Sequence, residues 1–273
     1  MKIGDTEKIV ITGASSGIGR ELACQLAGEG KEMWLIGRDD ERLAQVAAFA
    51  REKGAVAHAV LLDLMDFDQA NRFLNETFPP EVRVEAVYLD AAISIFGEMK
   101  DILIADWQKV YDSNLASPVQ WALHFYQNMI LHKAGKIIFI SSLSACTGYP
   151  TAIPYATTKA GLLGFYKSLK YEAKSHGISV HLGVPGFVDT GIYQAAIYRE
   201  TTYQKTMAEI RSLGYPLLTA KDAASRILKG IRRGKSEFAF PFYTAGLKWL
   251  SPRFPWMIDR IHNKILREFR KTP

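Results

Sequence analysis

The sequence predicts a single α/β domain in which a doubly wound parallel sheet carries helices on both faces. Short apolar runs typical of strands alternate with helical segments along the chain. No linker, repeat or low-complexity tract interrupts the 273 residues. The runs cover residues 8–12, 32–37, 56–62, 86–89, 136–141, 179–184 and 237–240. Right-handed crossovers between parallel strands would place a ligand at the carboxyl ends of the strands.

The first strand leads into a glycine-rich turn and then a helix. Residues 8–12 are followed by Gly13-Ala-Ser-Ser-Gly17-Ile-Gly19, and helical periodicity begins at Arg20. Glycines allow the backbone to approach a pyrophosphate, which then rests on the helix N-terminus. The turn therefore predicts a dinucleotide site, although glycine-rich turns also serve as purely structural connections.

Tyr155 and Lys159 are one helical turn apart, so their side chains are expected on one face of a helix. A tyrosine with a pKa near ~10 is a poor acid at neutral pH, and a nearby lysine charge favours the phenolate. Ser142 lies at the end of the apolar run from Gly135 to Ser142, where a hydroxyl is suited to hold a carbonyl oxygen beside the tyrosine. This pattern suits acid–base chemistry on a carbonyl or alcohol, but Tyr-x-x-x-Lys is also common on ordinary helices and alone means little.

The chain resembles the short-chain dehydrogenase/reductase family over roughly residues 5–245, with the motifs in the family's order. The glycine turn, which begins at Thr12, matches the family's cofactor motif. Asn114 matches its helix asparagine, and the segment from Pro185 to Thr190 matches the part that contacts the nicotinamide. The family's catalytic trio is matched by Ser142, Tyr155 and Lys159.

The resemblance implies a Rossmann fold and a hydride transfer between a nicotinamide cofactor and a carbonyl or alcohol. Tyr155 would act as the general acid and base, and Lys159 would lower its pKa and hold the nicotinamide ribose. Ser142 would bond the substrate oxygen, and Asn114 would support Lys159 through a bound water. An asparagine bonded locally to its helix backbone is the alternative for Asn114. The predicted catalytic residues are thus Asn114, Ser142, Tyr155 and Lys159.

The resemblance also implies the cofactor contacts. The Val188 backbone and the Thr190 hydroxyl would lie near the carboxamide of the nicotinamide. Asp63 would contact the adenine, unless it caps the helix that follows. The predicted cofactor-binding residues are Thr12, Gly13, Ser15, Ser16, Gly17, Ile18, Gly19, Arg20, Arg38, Asp63, Asp90, Tyr155, Lys159, Pro185, Gly186, Val188 and Thr190.

The end of the second strand favours NADP(H) over NAD(H). A site that prefers NAD places a carboxylate there to bind the ribose 2′-OH, but this position aligns with Gly37, and Arg38 follows. A guanidinium suits a 2′-phosphate because it is a planar, permanently charged fork of donors, and Arg20 would add a second charge. Two alternatives stay open: Arg38 pairs with one of the acidic residues after it, or a one-residue shift brings Asp39 to the ribose.

The loop after the fourth strand departs from the family pattern. Where the family usually carries Asn-Asn-Ala-Gly, this chain reads Leu89-Asp90-Ala91-Ala92. If the loop needs a positive φ at Ala92, the alanine introduces strain. Either Asp90 accepts backbone N–H bonds and the enzyme is active, or the protein is an NADP(H)-binding sensor or scaffold with weak catalysis. The intact Asn114 and catalytic trio favour the active enzyme.

Residues 191–216 occupy the place of the family's variable substrate lid and are rich in apolar and aromatic side chains. Such a lid suits a lipophilic or neutral carbonyl substrate and would exclude water. A helix that packs on any domain needs a similar stripe, so the indication is weak. The predicted division is a catalytic domain over residues 1–250, lid included, followed by a C-terminal extension over 251–273.

The C-terminal extension is predicted to form a basic amphipathic helix. Its apolar positions recur at steps of three and four: Ile258, Ile261, Ile265 and Phe269. With aromatic residues before it, such a helix is suited to a membrane surface. The favoured interpretation is a helix that docks on its own domain or on a second subunit. No apolar run is long enough to span a bilayer.

Composition excludes several classes of protein. The net charge is +6, but no nucleic-acid-binding motif accompanies it. Two cysteines and a start that leads directly into a strand predict a cytoplasmic protein without a disulfide framework or a signal peptide. The six histidines show no metal-ligand spacing, so no metal is predicted. The expected partners are a small carbonyl or alcohol substrate and, by the resemblance, further subunits of a homodimer or homotetramer.

Overall fold

The computed structural model describes residues 6–271 and contains a seven-stranded parallel sheet at its centre. The strands of this sheet are β1 (Glu7–Thr12), β2 (Lys31–Gly37), β3 (Val56–Leu61), β4 (Ala86–Leu89), β6 (Gly135–Ile140), β7 (Ile178–Pro185) and β11 (Glu237–Phe240). Their spatial order is β11-β7-β6-β4-β1-β2-β3, and every neighbouring pair is parallel. The predicted doubly wound sheet is confirmed, and all seven predicted runs are strands in it.

Four short strands form two small two-stranded sheets beside the central one. They are β5 (Ile95–Phe96) paired with β9 (Ile197–Tyr198), and β8 (Val188–Asp189) paired with β10 (Leu218–Thr219). Both pairs lie beyond the carboxyl ends of the central strands, because each includes a segment that directly follows β4 or β7. They bring the predicted lid back onto the main domain.

The helices connect the strands and flank the sheet. They are α1 (Gly17–Leu26), α2 (Asp40–Glu52), α3 (Phe67–Thr77), α4 (Ile104–Tyr111), α5 (Ser117–His132), α6 (Ser144–Thr147), α7 (Ile153–Ser175), α8 (Tyr203–Ser212), α9 (Ala220–Arg232), α10 (Phe242–Leu250) and α11 (Pro255–Lys271). A 3₁₀ turn covers Met99–Asp101, and a π-helical turn covers Asp112–Ala116. Helices α1, α2 and α9 cover one face of the sheet, and α3, α5 and α7 cover the other.

Alternation along the strands divides the core between these two faces. In β1, Ile9 and Ile11 pack with α1 and α2, whereas Val10 packs with α3 and α5. All three are fully buried, as expected for a strand covered on both sides. The strands are therefore continuous apolar runs in the sequence, and the polar residues that follow them lie together at the carboxyl edge of the sheet.

The C-terminal helix α11 docks on the protein through its apolar stripe. Ile258 and Ile265 are buried, and α11 packs on α8 and α10. Its cations face outward, with the Arg260 guanidinium over the Trp256 ring at 5.1 Å from the ring centroid. Among residues 6–271, no helix has the length and apolar character needed to cross a bilayer.

Candidate active site

A deep cleft opens at the carboxyl ends of β1, β4, β6 and β7, where the strand order reverses between β1 and β4. This is the expected ligand position in a doubly wound sheet. Most of the predicted site residues line it together, namely Gly13, Ser16, Gly17, Ile18, Arg38, Asp90, Ser142, Tyr155, Lys159, Pro185, Gly186, Val188 and Thr190. One cavity therefore joins the glycine turn to the predicted catalytic trio.

The glycine turn needs its glycines for conformation and for space. Gly13 and Gly17 have φ of 71° and 56°, in the region that favours glycine. A Cβ at Gly13 would lie 3.0 Å from the Ala91 backbone, and one at Gly17 would lie 3.2 Å from Thr190 Cβ. The turn thus runs in close contact with the loop after β4 and with the segment after β7, and it leaves backbone N–H groups of α1 facing the cleft.

Thr12 holds β1 and the loop after β4 together from beneath the cleft. Its hydroxyl donates to the carbonyl oxygen of Tyr88 (3.3 Å) and accepts from the backbone N–H groups of Asp90 (3.1 Å) and Ala91 (3.3 Å). Thr12 is buried and does not line the cleft. We infer that its contribution to the site is to position the loop.

Asp90 agrees with the interpretation in which its side chain accepts backbone N–H bonds in the altered loop after β4. Its carboxylate accepts a hydrogen bond from the backbone N–H of Gly19, at the start of α1. Burial raises the pKa of Asp90 to about 6, partly offset by the Lys159 charge and by the bond from Gly19. Ala92 does not adopt a positive φ, so the alanine carries no strain of that kind. The departure from the family pattern is accommodated without distortion of the loop.

We expect Asp90→Asn to stabilise the protein at neutral pH. The folded pKa of Asp90, about 6, exceeds the ordinary 3.8, so its contribution to stability is full below about pH 4 and is lost as the pH rises through 6. Because asparagine cannot ionise, the variant should unfold with a free energy higher by on the order of 1–3 kcal/mol at pH 7 and nearly equal at pH 4. Urea unfolding at both pH values measures this, and a difference independent of pH would contradict it.

Ser142 and Tyr155 face each other at the floor of the cleft. The Ser142 hydroxyl accepts from the backbone N–H (3.2 Å) and the hydroxyl (3.0 Å) of Ser144, which orients it. Burial raises the pKa of Tyr155 to about 12, and a hydrogen bond from Ser142 partly offsets the rise. Burial is thus the largest influence on the pKa of Tyr155 in the protein without its cofactor. At neutral pH Tyr155 is a protonated donor beside the serine hydroxyl.

Lys159 is almost fully buried below Tyr155, at 2% exposure. Its ammonium donates to the carbonyl oxygen of Ile140 at 2.9 Å and lies 5.7 Å from the centroid of the Tyr155 ring. Burial lowers its pKa to about 8, and the Asp90 charge opposes this fall. Ser141 also donates to the Lys159 carbonyl oxygen (3.1 Å), which ties α7 to the end of β6. Serine, tyrosine and lysine are thus held by one helix and one strand end.

Asn114 bonds to the loop after β4 and not to its own helix backbone, so the local alternative given for it is wrong. It lies in the π-helical turn, fully buried, where its amide donates to the Ile93 carbonyl (2.8 Å) and its oxygen accepts from the Ile93 N–H (2.9 Å). Neither Lys159 nor the cleft is among its contacts. Turns of this type are frequent at functional sites. We infer that Asn114 positions the loop after β4, on which Asp90 lies.

Arg38 is exposed and lines the cleft, and within residues 6–271 it forms no ion pair. The pairing with a following acidic residue is absent, since Asp39 instead caps α2 and pairs with Arg42 at 3.2 Å. Ser15 packs against Gly37, where an added Cβ would lie 3.1 Å from the serine hydroxyl. The end of β2 therefore lacks room for an acidic side chain in this arrangement and leaves a guanidinium at the cleft.

Five of the predicted cofactor-binding residues do not line the cleft, namely Thr12, Ser15, Gly19, Arg20 and Asp63. Arg20 pairs with Glu21 at 2.9 Å on the surface, since its position on α1 points it away from the turn. Asp63 is exposed and accepts from the Met65 N–H at 3.0 Å, in a local turn. The helix that follows is capped by Asp66, so the capping alternative given for Asp63 is wrong.

The substrate side of the cleft includes residues that the motifs did not reveal. Aromatic side chains from β5 and from several loops form its walls: Phe96, Tyr149, Phe187, Tyr193 and Tyr215. From the predicted lid, Ile192, Tyr193 and Ile210 line the cleft, whereas Met207 packs in the interior. The segment predicted to be a lid is held to α4 by Arg199, which binds Asp106 through two bonds of 2.7 and 2.8 Å. The apolar character of the residues that line the cleft was visible in the sequence, but their convergence on one cavity depends on the fold.

A family model described as short chain dehydrogenase matches residues 7–200. A protein named 11-beta-hydroxysteroid dehydrogenase-like 4A from Arabidopsis thaliana is 30% identical over 252 residues, 92% of this chain and 81% of that protein. A 3-oxoacyl-[acyl-carrier-protein] reductase from Aquifex aeolicus is 31% identical over 202 residues, 74% of this chain and 81% of that protein.

Solved structures show the same fold. A short-chain dehydrogenase from Sphingobium yanoikuyae, in complex with NADPH, matches with a TM-score of 0.76 at 23% identity, covering 92% of this chain and 94% of that one. A short chain dehydrogenase/reductase from Burkholderia phymatum, in complex with NAD, matches with a TM-score of 0.81 at 21% identity, covering 94% and 96%. At these sequence identities, the similarity to the two solved structures shows the fold alone.

Proposed function

The chain belongs to the short-chain dehydrogenase family, and from this premise we propose that it is an NADPH-dependent oxidoreductase acting on a lipophilic carbonyl or alcohol. One observation carries the proposal: a single cleft joins the glycine turn to Ser142, Tyr155 and Lys159. The nicotinamide cofactor, when bound, supplies or accepts the hydride. The residues of the chain bind and orient the cofactor and the substrate, and they move the proton.

In the proposed reduction, Tyr155 donates its phenolic proton to the oxygen of the substrate as negative charge develops there. Ser142 bonds the same oxygen, and this interaction strengthens in a cleft with little water. The buried Lys159 ammonium stabilises the phenolate that remains, because opposite charges attract strongly where solvent is scarce. Thr12, Asn114 and Asp90 act indirectly, by fixing the loop between the glycine turn and the trio.

The proposed preference for NADP(H) is supported by the end of β2. Arg38 lines the cleft without an ion-pair partner in the described chain, and Gly37 leaves no carboxylate for a ribose 2′-OH. A guanidinium that meets a phosphate forms charge-assisted bonds, whereas a plain ribose offers it no opposite charge.

We expect Arg38→Ala to raise the Kd for NADPH by roughly ten- to a hundredfold, the effect of losing a hydrogen-bonded charge pair. The Kd for NADH should change less than threefold, because NADH lacks the 2′-phosphate. Fluorescence titration of both nucleotides measures this, with Arg42→Ala, which removes a guanidinium bound to Asp39, as the matched control. Equal weakening of NADPH and NADH would remove the assignment of Arg38.

The proposed lipophilic substrate is supported by the aromatic walls of the cleft and by two relatives. The names of these relatives refer to a hydroxysteroid and to a 3-oxoacyl group, both of which carry large apolar parts. The function is tested by NADPH oxidation against ketones, aldehydes, quinones and 3-oxoacyl thioesters. NADPH binding without turnover of any class would favour the sensor or scaffold instead.

We also propose that the chain forms a homodimer or homotetramer through α4, α5 and α7. Their outward faces carry exposed apolar side chains, among them Ile104, Leu123, Leu131 and Tyr171. Scattered exposed apolar residues are common, but these belong to the three helices packed around the π-helical turn. Sedimentation velocity would give a mass of two or four chains, and a monomer at micromolar concentration would remove this proposal.

A further inference from the structure

One wall of the cleft is built by the last two helices. Leu247 comes from α10, and Ile258, Ile261, His262 and Ile265 come from α11. All five lie beyond residue 200, where the match to the family model ends. The C-terminal segment thus forms part of the substrate side of the cleft.

Three polar contacts fix this wall in place. Arg270 binds the Glu98 carboxylate through two bonds of 2.9 and 2.8 Å, near β5. Lys264 donates to the Ser212 carbonyl (2.7 Å) at the end of α8, and Ser251 donates to the Cys146 carbonyl (3.0 Å) near the catalytic serine. The helix therefore spans the cleft from the β5 side to the lid and cannot move without breaking bonds on both.

His262 is the polar side chain in this otherwise apolar wall. Its ring lies beside the turn between Ser142 and Tyr155, since Cε1 is 3.7 Å from where a Cβ at Gly148 would be. Within residues 6–271 its ring nitrogens bond to no protein atom. Burial lowers the pKa of His262, with Asp259 opposing the change, so at neutral pH the ring is uncharged, with one donor and one acceptor.

The charges around the cleft limit what His262 meets. Among the described residues, the cations that line the cleft are Arg38 and Lys159, which belong to the cofactor and catalytic parts. The cations of α11, such as Arg260 and Arg267, lie on its exposed side. A ligand group beside His262 therefore finds a neutral imidazole among isoleucines, which suits an uncharged oxygen and not a carboxylate or phosphate.

We propose that His262 is a specificity-determining residue that binds a second, uncharged oxygen of the substrate, remote from the reacting carbonyl. The substrate class is then an apolar ketone or alcohol whose far end carries a carbonyl or hydroxyl group. The imidazole donates to the former or accepts from the latter. This inference rests on the proposed function, because it places the reacting carbonyl at Ser142 and Tyr155.

Binding to the protein saturated with NADP⁺ tests the proposal without turnover. The probes are 2-alkanones of six to twelve carbons and the symmetrical diketones of equal length with carbonyls at both penultimate carbons. Neither kind can be oxidised by NADP⁺ at its carbonyls, and calorimetry gives Kd for each pair. Two equivalent ends alone would make the diketone bind twofold tighter than the 2-alkanone of equal length. At one or two adjacent chain lengths, the diketone should bind tighter by a further factor of about three to ten.

Two variants separate the hydrogen bond from packing. His262→Leu should abolish the diketone preference beyond the twofold statistical gain. It should leave the Kd of the 2-alkanones within about twofold of the value for the unchanged protein, because leucine keeps an apolar side chain in the wall. Ile261→Ala, the matched control, should weaken both ligands of a pair equally. A preference that survives in His262→Leu, no preference at any length, or no binding of any probe would overturn the proposal. Absence of turnover with normal diketone preference would instead fault the proposed reductase activity.

Discussion

Tyr155→Phe is expected to lower kcat for carbonyl reduction by roughly 10²–10⁴-fold, the usual contribution of a positioned general acid. The substitution removes only the hydroxyl oxygen, so the ring stays in the floor of the cleft beside Lys159. The hydroxyl faces Ser142 and the substrate side, while Arg38 and the glycine turn lie elsewhere in the cleft. The Kd for NADPH should therefore remain within about threefold, and kcat should fall without a matching rise in KM.

The comparison needs a phenol that differs only in position. Tyr171 lies about four turns further along the same helix, α7, and is 73% exposed. Tyr171→Phe should keep full turnover. Stopped-flow single-turnover traces with NADPH would separate hydride transfer from product release. If Tyr155→Phe retained more than a tenth of the natural rate in such traces, another group would have to supply the proton.

Gly19→Ala is expected to weaken NADPH binding tenfold or more and to lower the melting temperature. An added Cβ would overlap the carbonyl oxygen of Gly13 and lie 3.0 Å from the Asp90 carboxylate. Neither neighbour can withdraw easily, because Gly13 is held in the turn and Asp90 is bonded to the Gly19 N–H. Overpacking of this kind costs about 1–3 kcal/mol, and here it displaces the groups that would hold the pyrophosphate.

Gly164→Ala is the control for this change, since Gly164 lies within α7 and an added Cβ there has no neighbour within 4 Å. It should leave NADPH binding unchanged and raise the melting temperature slightly, because alanine favours helix over glycine by about 1 kcal/mol. Differential scanning fluorimetry with and without NADPH measures both effects. Undiminished stabilisation of Gly19→Ala by NADPH would show that the turn tolerates the methyl group.

The fold was predictable because both faces of its sheet are covered. A strand buried on both sides is a short apolar run, and in this chain each predicted run lies between helical segments, so element type and order follow together. The ends of the runs differ from the strands by at most two residues, as where β7 continues to Pro185. The short strands β5, β8, β9 and β10 were not predicted, because two residues carry no detectable period.

The candidate site was predictable where a residue acts close to its own motif. Gly13, Gly17, Ser142, Tyr155 and Lys159 reach the cleft directly from a strand end or a helix start. Residues whose contacts depend on rotation about a helix or on a distant partner were harder. The side of α1 on which Arg20 lies, the bond of Asn114 to Ile93 and the position of His262 opposite Gly148 are set by packing between elements that are far apart in sequence.

Because α10 and α11 form part of the cleft wall, they affect how the substrate range of such a protein can evolve. The groups proposed to hold the cofactor and to transfer the proton lie between residues 12 and 190, whereas much of the rest of the cleft lining comes from residues 192–265. Exchange of the last two helices with those of a relative would therefore alter which molecule is accepted while leaving the chemistry intact. The separation makes the C-terminal third a natural place for new substrate ranges to arise, and a practical one for engineering them.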